Sequence, residues 1–338
     1  MGLVACGSSL VSSFPSLRLR AVRASFSSSS SFDHVSFVKE VAAFRPPEHL
    51  QCLLNMLQAR GETIVAPSNR RGLIPLAIPL SENGSGALTA LLRWPTAPPE
   101  MEMPVVEVHK YGVRLLAKSV DQFIHRILVE EDAKDDHECN SELFNLSAKS
   151  GIELHKKGDF AESQTGNVDA YLLKKVGLFP DILERKAAGH LEKGDQVSAL
   201  VTGEFYTRKE HFPGFARPFV FYAEILLKVG RVLEAKDAAR VALKSPWWTL
   251  GDRYENVASI AQWEDEQIEY IKEKVSDEGR HEDLKKGKAL EQVALDQAAF
   301  LLDLASTDGT WPESQEKIAK CYEEAGLHDI AKFVSYSG

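Results

Sequence analysis

A mainly α-helical chain, organised as a solenoid of helical hairpins behind a small Pro-rich α+β module, is what the 338-residue sequence predicts. Three observations carry that reading. A spacing of small residue, Gly, small residue occurs at Gly151, Gly158 and Ser163, again at Ala187, Gly194 and Ala199, and again at Ala223, Gly230 and Ala235, each step being 36 positions. Beyond about residue 108, apolar residues recur with the helical period, whereas 45–108 sets short apolar runs between Pro and Gly. Hydrophobic residues at 44% and charged residues at 26% match a chain that can bury a core.

Taken in order, residues 1–32 contain eleven Ser, three Arg (Arg18, Arg20, Arg23) and no acid, the composition of an organelle transit peptide. Serine dominance points to a plastid. Without them the chain holds 37 Lys and Arg against 49 Asp and Glu, a net charge of −12. No apolar run approaches the about 18 residues that a membrane span needs. Cys6, Cys52, Cys139 and Cys321 stand singly, as befits a reducing compartment such as the stroma.

The module at 45–108 is expected to open with a helix over 48–59, where Leu50, Leu53, Leu54 and Leu57 form one stripe that Gly61 ends. Extended segments follow at 62–66, 73–78 and 86–94, and Pro95, Pro98, Pro99 and Pro104 make a connector. Helices are expected throughout 109–250. The first, over 108–129, carries Val113, Leu116, Val120, Phe123, Ile124 and Ile127 on one face. The 36-residue units come next. In each, a glycine able to adopt the left-handed conformation reverses the chain between two helices, and flanking small residues let those helices approach closely. Asp159 and Asp195 follow their glycines as helix caps, whereas Arg231 cannot cap. Residues 251–338 form a helical extension with one more hairpin at Ala319, Gly326 and Ala331.

These repeats resemble the tetratricopeptide (TPR) family: a small residue at the eighth position, Gly at the fifteenth, Ala at the twentieth, and Ala242 at the twenty-seventh in the third copy. The period is two residues longer than the family's usual ~34, and the Trp and Tyr of the strict pattern are missing. The resemblance implies a superhelix whose concave face holds a protein segment. Carried over by position, that face comprises Asn145, Ala148, Ile152, His155 and Lys156, then Asp181, Glu184, Ala188, Leu191 and Glu192, then Arg217, Val220, Glu224, Leu227 and Lys228. The family's Lys/Asn clamp for an acidic chaperone tail is absent, and a mixed acidic and apolar groove suits a segment with basic and apolar residues. Together with the plastid address, the chain looks like the helical stromal proteins of plants that assist assembly of photosynthetic complexes.

Chemistry has little support. No two of the ten His lie at i, i+4, and His137-Glu138-Cys139 are too close in sequence to converge on one ion. No phosphate loop or nucleophile elbow is present. No cofactor, metal or catalytic residue is nominated. Residues 205–263 hold eleven of the 29 aromatics, most of them core, with Trp247 and Trp248 as candidate exposed anchors for a partner.

The expectation is therefore a non-catalytic chloroplast stromal scaffold that binds a partner protein. Its role would be assembly or stability of a photosynthetic complex such as thylakoid ATP synthase or a photosystem, with any thylakoid contact made through the partner. An organellar RNA-binding repeat protein is the alternative, opposed by −12 and by only three regular copies. DNA binding and an integral membrane segment are not expected. A divergent enzyme in the front module, around Arg70, Arg71 and Arg93, is the third reading.

Overall fold

In the computed structural model, which describes residues 33–97, 101–135, 137–263 and 266–336, strand formation begins where β-branched and leucine residues alternate between turn signals. The transit-peptide reading of 1–32 lies outside the described residues. Helices α1 (His34–Glu40) and α2 (Leu50–Ala59) precede strands β1 (Thr63–Ile64), β2 (Ala77–Glu82), β3 (Leu88–Leu92), β4 (Val105–His109) and β5 (Gly112–Ala117). These strands form an antiparallel meander in chain order. Pro79, which cannot donate to a ladder, sits at the bulge where the β2–β3 register shifts. Helix α2 buries the expected leucines, and Gly61 follows it with φ +87°.

The helix expected from residue 108 is a correction. Residues 112–117 are β5, paired with β4, and the helix α3 (Val120–Asp132) starts only after Ser119 caps it by accepting from the Gln122 N–H. Val113, Leu115 and Ala117 are buried at a period of two. The same segment also carries an i, i+3, i+7 stripe through Val113, Leu116 and Val120, and pairing with β4 decided against it. The α+β part thus runs from α1 to α3, beyond the boundary at 108.

The remainder is helical: α4 (Ser141–Lys149), α5 (Asp159–Glu162), α6 (Val168–Lys175), α7 (Pro180–Glu192), α8 (Gln196–Tyr206), α9 (Arg217–Lys228), α10 (Val232–Ala242), a 3-10 turn Trp247–Thr249, α11 (Tyr254–Ala261), α12 (Glu266–Lys274), α13 (Asp277–Lys285), α14 (Leu290–Asp308), α15 (Trp311–Glu324) and α16 (His328–Ser335). Gly194, Gly230 and Gly326, at φ +75°, +80° and +76°, turn the pairs α7/α8, α9/α10 and α15/α16. Asp195 caps α8 by accepting from the Ser198 N–H, and Arg231 makes no side-chain cap, both as expected. Ala187, Ala199, Ala223 and Ala235 are fully buried.

The first copy of the spacing is not such a hairpin. Helix α4 ends at Lys149, and Gly158, at φ +101°, precedes only the four-residue α5. Asp132 on α3 fixes this turn in place. Its carboxylate accepts the N–H groups of Gly158 (2.7 Å) and Phe160 (2.9 Å), orphan donors at the start of α5, and lies 2.9 Å from His155 Nε2, so the segment is tied to α3. Burial opposes the Asp132 charge, but these N–H groups and His155 hold its pKa below the usual carboxylate range.

The C-terminal helices return to the N-terminal sheet. The buried Arg70 donates from Nη1 to the Phe333 carbonyl (2.7 Å), from Nε to the Ala77 carbonyl (3.0 Å) and from Nη2 to the Pro75 carbonyl, and its guanidinium lies 3.9 Å from the Phe333 ring centroid. Trp311 Nε1 donates to the Lys110 carbonyl (3.0 Å), and Phe37 meets Tyr336 edge to face. One hydrophobic core therefore runs from Phe37 to Val334, and a second gathers Ala216, Val220, Leu226, Trp247, Leu250 and Tyr254 around α9–α11. Arg70 and Arg93 are held by backbone carbonyls, Arg93 by those of Ala42 and Trp94. This accounts for two of the three arginines that motivated an enzyme pocket.

Two measurements test this packing. At Gly112 (φ +143°) a Cβ would collide with the Trp248 carbonyl, whereas at Gly194 it meets nothing within 4 Å. Gly112→Ala is expected to lose more than about 3 kcal/mol and Gly194→Ala about 1–2 kcal/mol in urea unfolding. His125 packs against His155, and burial, then the His155 charge, lowers its pKa from 6.5 to about 4. A depressed folded pKa means that the unfolded chain takes the proton first, so stability is lost as pH falls from 6.5 towards 4. The slope is at most about 1.4 kcal/mol per pH unit, and His125→Asn should remove that component from the curve.

Candidate partner-binding groove

Four of the residues assigned to the concave face come together. Asp181 and Glu184 lie one turn apart on α7, and Arg217 and Glu224 lie on α9. The Arg217 guanidinium donates to both carboxylate oxygens of Glu184 from Nε and Nη2, each at 2.9 Å, and to Glu224 from Nη1 at 2.9 Å. Tyr206 on α8 donates its hydroxyl to Glu184 at 3.1 Å. Asp181 is held by a residue that the sequence did not nominate: Arg126 of α3 grips it with two bonds of 2.7 Å and also binds Glu130. The same guanidinium lies 4.9 Å from the Phe179 ring centroid.

Planar bidentate pairing of this kind fixes geometry as well as charge. Burial works against the Arg217 cation, but Glu184 and Glu224 outweigh it and raise its pKa; Arg126 is raised likewise against burial by Asp181 and Glu130. Burial first, then Glu184, pushes the Tyr206 phenol well above its ordinary range. Asp181 is pulled below the usual carboxylate range by Arg126 against the cost of burial.

Beside this network is a cavity of about 210 Å³ with apolar walls from Leu115, Leu116, Pro180, Phe212, Phe215 and Pro218, and with Glu107 and Arg114 at its margin. Its floor is β5 and its sides are α7 and α9. Arg114 is itself held by the Gly251 carbonyl. The cavity offers apolar contact with a small number of oriented charges, a setting suited to anchoring a side chain of a bound segment. The acid excess expected here is largely neutralised by Arg217 and Arg126.

The other nominated residues lie elsewhere. His155 is buried in the Asp132 tie, and Lys156 beside it is exposed, its N–H bonded to Asp159. Glu192, Leu227 and Lys228 are exposed at the far ends of α7 and α9 and line no part of this cavity. Trp247 and Trp248 are a correction. Both are buried, Trp247 stacked near Tyr254 with its Nε1 on the Leu243 carbonyl and Trp248 against Trp94, so they plug the core and are not exposed anchors. Leu115, Leu116 and Arg114 escaped notice because their segment was read as helix. Arg126 could have been found as a lone cation beside an apolar stripe.

Comparison with known proteins gives the family. The family described as PAB N-terminal matches residues 32–175, the PAB middle domain matches 180–264 and the PAB C-terminal domain matches 268–337. A relative from Arabidopsis thaliana, "Protein IN CHLOROPLAST ATPASE BIOGENESIS, chloroplastic", is 67% identical over 321 residues, covering 95% of this chain and 96% of its own length. The chain belongs to the PAB family. No solved structure matches it. In PAB terms the groove is shared: the N-terminal domain supplies β5 and Arg126, and the middle domain supplies α7, α8 and α9.

Removing the cation would leave two carboxylates facing each other in a half-buried site. Arg217→Met is expected to cost about 2–4 kcal/mol in chemical denaturation, whereas Glu224→Gln, at a more open position, should cost less than about 1 kcal/mol.

Proposed function

We propose that the chain is a non-catalytic factor in chloroplast ATPase biogenesis that works by holding a segment of an ATPase subunit during assembly. The observation that carries this reading is the end-to-end likeness, through all three PAB domains, to a relative whose name states a role in chloroplast ATPase biogenesis. The site of action is the chloroplast stroma, with contact to the thylakoid made through the partner. No described helix is long and apolar enough to cross a membrane.

The pairs α7/α8 and α9/α10 act as a TPR-like unit whose inner face is the groove beside β5. Asp181, Glu184, Arg217 and Glu224 set its polarity, and the apolar walls receive the segment. Glu192, Leu227, Lys228 and Lys156 extend the contact beyond the cavity. Support for a protein ligand over RNA comes from the cations. Arg126 and Arg217 are each satisfied by carboxylates and Arg114 by a carbonyl, which leaves the groove without a track for phosphates.

A plant line lacking this protein should accumulate less assembled chloroplast ATPase while still synthesising its subunits, as read by native gels and pulse labelling. Complementation with a Leu116→Glu variant, which puts a charge in the groove wall, should fail to restore assembly although the protein accumulates. Normal ATPase levels in the knockout line would refute the proposal.

A further inference from the structure

A second cleft, of about 730 Å³, opens where the three PAB domains meet. Trp94 enters it from the N-terminal domain, Trp247 from the middle domain, and Tyr270 and Phe300 from the C-terminal domain. Asp303 of α14 lines it and is 9% exposed. The Trp247 N–H donates to Asp303 Oδ1 at 2.7 Å, and among the described residues Oδ2 has no partner. Lys244 and Asp296 also line the cleft. Lys288 pairs with Asp296, and no described cation is placed to neutralise Asp303.

Receiving the Trp247 N–H takes one acceptor oxygen, which leaves the other oxygen of Asp303 available to a guest. A free carboxyl oxygen among aromatic walls is the arrangement that receives a cationic side chain, whose head pairs with the carboxylate while its stem and charge rest on the rings. We propose that this cleft is a second docking site for the partner. It takes one arginine or lysine from an apolar stretch, with the charged head at Asp303 and the stem against Trp94, Tyr270 and Phe300. The inference rests on the biogenesis reading above only for the choice of probe.

Protonation follows from the burial. Asp303 is raised to about 8 by desolvation, with the Trp247 N–H opposing. The other titratable groups facing the cleft are Lys244, Asp296, Tyr270 and the buried Tyr322, and none supplies a charge that shifts Asp303. An arriving cation favours the ionised form, so binding releases a proton, and affinity rises with pH up to about 8, about tenfold per unit on the acid side.

The test uses the full chain and an array of 15-residue peptides tiling the chloroplast ATPase subunits, with hits titrated calorimetrically at pH 6.5 and 8.5. Expected hits carry Arg or Lys within an apolar run, bind more tightly at pH 8.5, and weaken at least tenfold when that residue is replaced by citrulline or norleucine. Asp303→Asn, which keeps an acceptor for the Trp247 N–H, should weaken them similarly and abolish the pH dependence. Gln292→Lys, at the exposed rim, tests the same point without altering the floor, since its ammonium should compete with the guest. Hits that bind wild type and both variants equally, hits indifferent to loss of their cation, or an array without hits would overturn the proposal. An intact ATPase subunit still captured by the chain in any of those cases would leave the biogenesis reading standing while the cleft falls.

Discussion

A buried guanidinium without a carboxylate holds the two ends of this chain together. Arg70 is pulled down to about 9 by burial, and what offsets its desolvation is a set of carbonyls at Pro75, Ala77 and Phe333, together with the Phe333 ring. Two of those carbonyls are local and one comes from the last helix, 263 positions away. Without α16 the cation would sit half-satisfied against the sheet. The Trp311 to Lys110 bond and the Phe37–Tyr336 contact belong to the same seam. The helical extension thus helps to complete the sheet's core.

The groove follows the same logic with opposite signs. The inner face was expected to be mixed acidic and apolar, and its acids Glu184, Glu224 and Asp181 meet Arg217 and Arg126. The remaining polarity is directional, fixed by planar pairs, and the apolar walls occupy most of the contact area. Of the residues assigned by sequence position, Asp181, Glu184 and Arg217 line one cavity, and Glu224 joins them through Arg217. Their mutual neutralisation was a matter of side-chain reach across helices, which a linear spacing does not encode.

Other features divide along similar lines. The reversals at Gly194, Gly230 and Gly326 were legible because positive φ is a local demand that only glycine meets without strain. Helix α2 was legible from its leucine stripe and the stop at Gly61. Strand β5 was not, since Val113 and Leu116 satisfy a helical stripe while Val113, Leu115 and Ala117 satisfy a strand, and pairing with β4 decided the matter. At the failed first hairpin Asp132, 26 positions before Gly158, ties the start of the short α5 to α3, a contact that the spacing does not encode. Trp247 and Trp248 looked like anchors because adjacent tryptophans are conspicuous, but a 3-10 turn between α10 and α11 buries both. In each miss, a long-range partner outweighed a correct local preference.

Gly112 touches the Trp248 backbone so closely that the N-terminal sheet and the middle helices share a wall without room for a methyl group. One side of the groove belongs to each of those parts. A nicked or half-folded molecule would therefore present two separate faces, neither of them concave, and the groove proposed to hold a partner segment would not exist. Under that proposal, binding competence and completed folding become one condition, a quality check that requires no additional component.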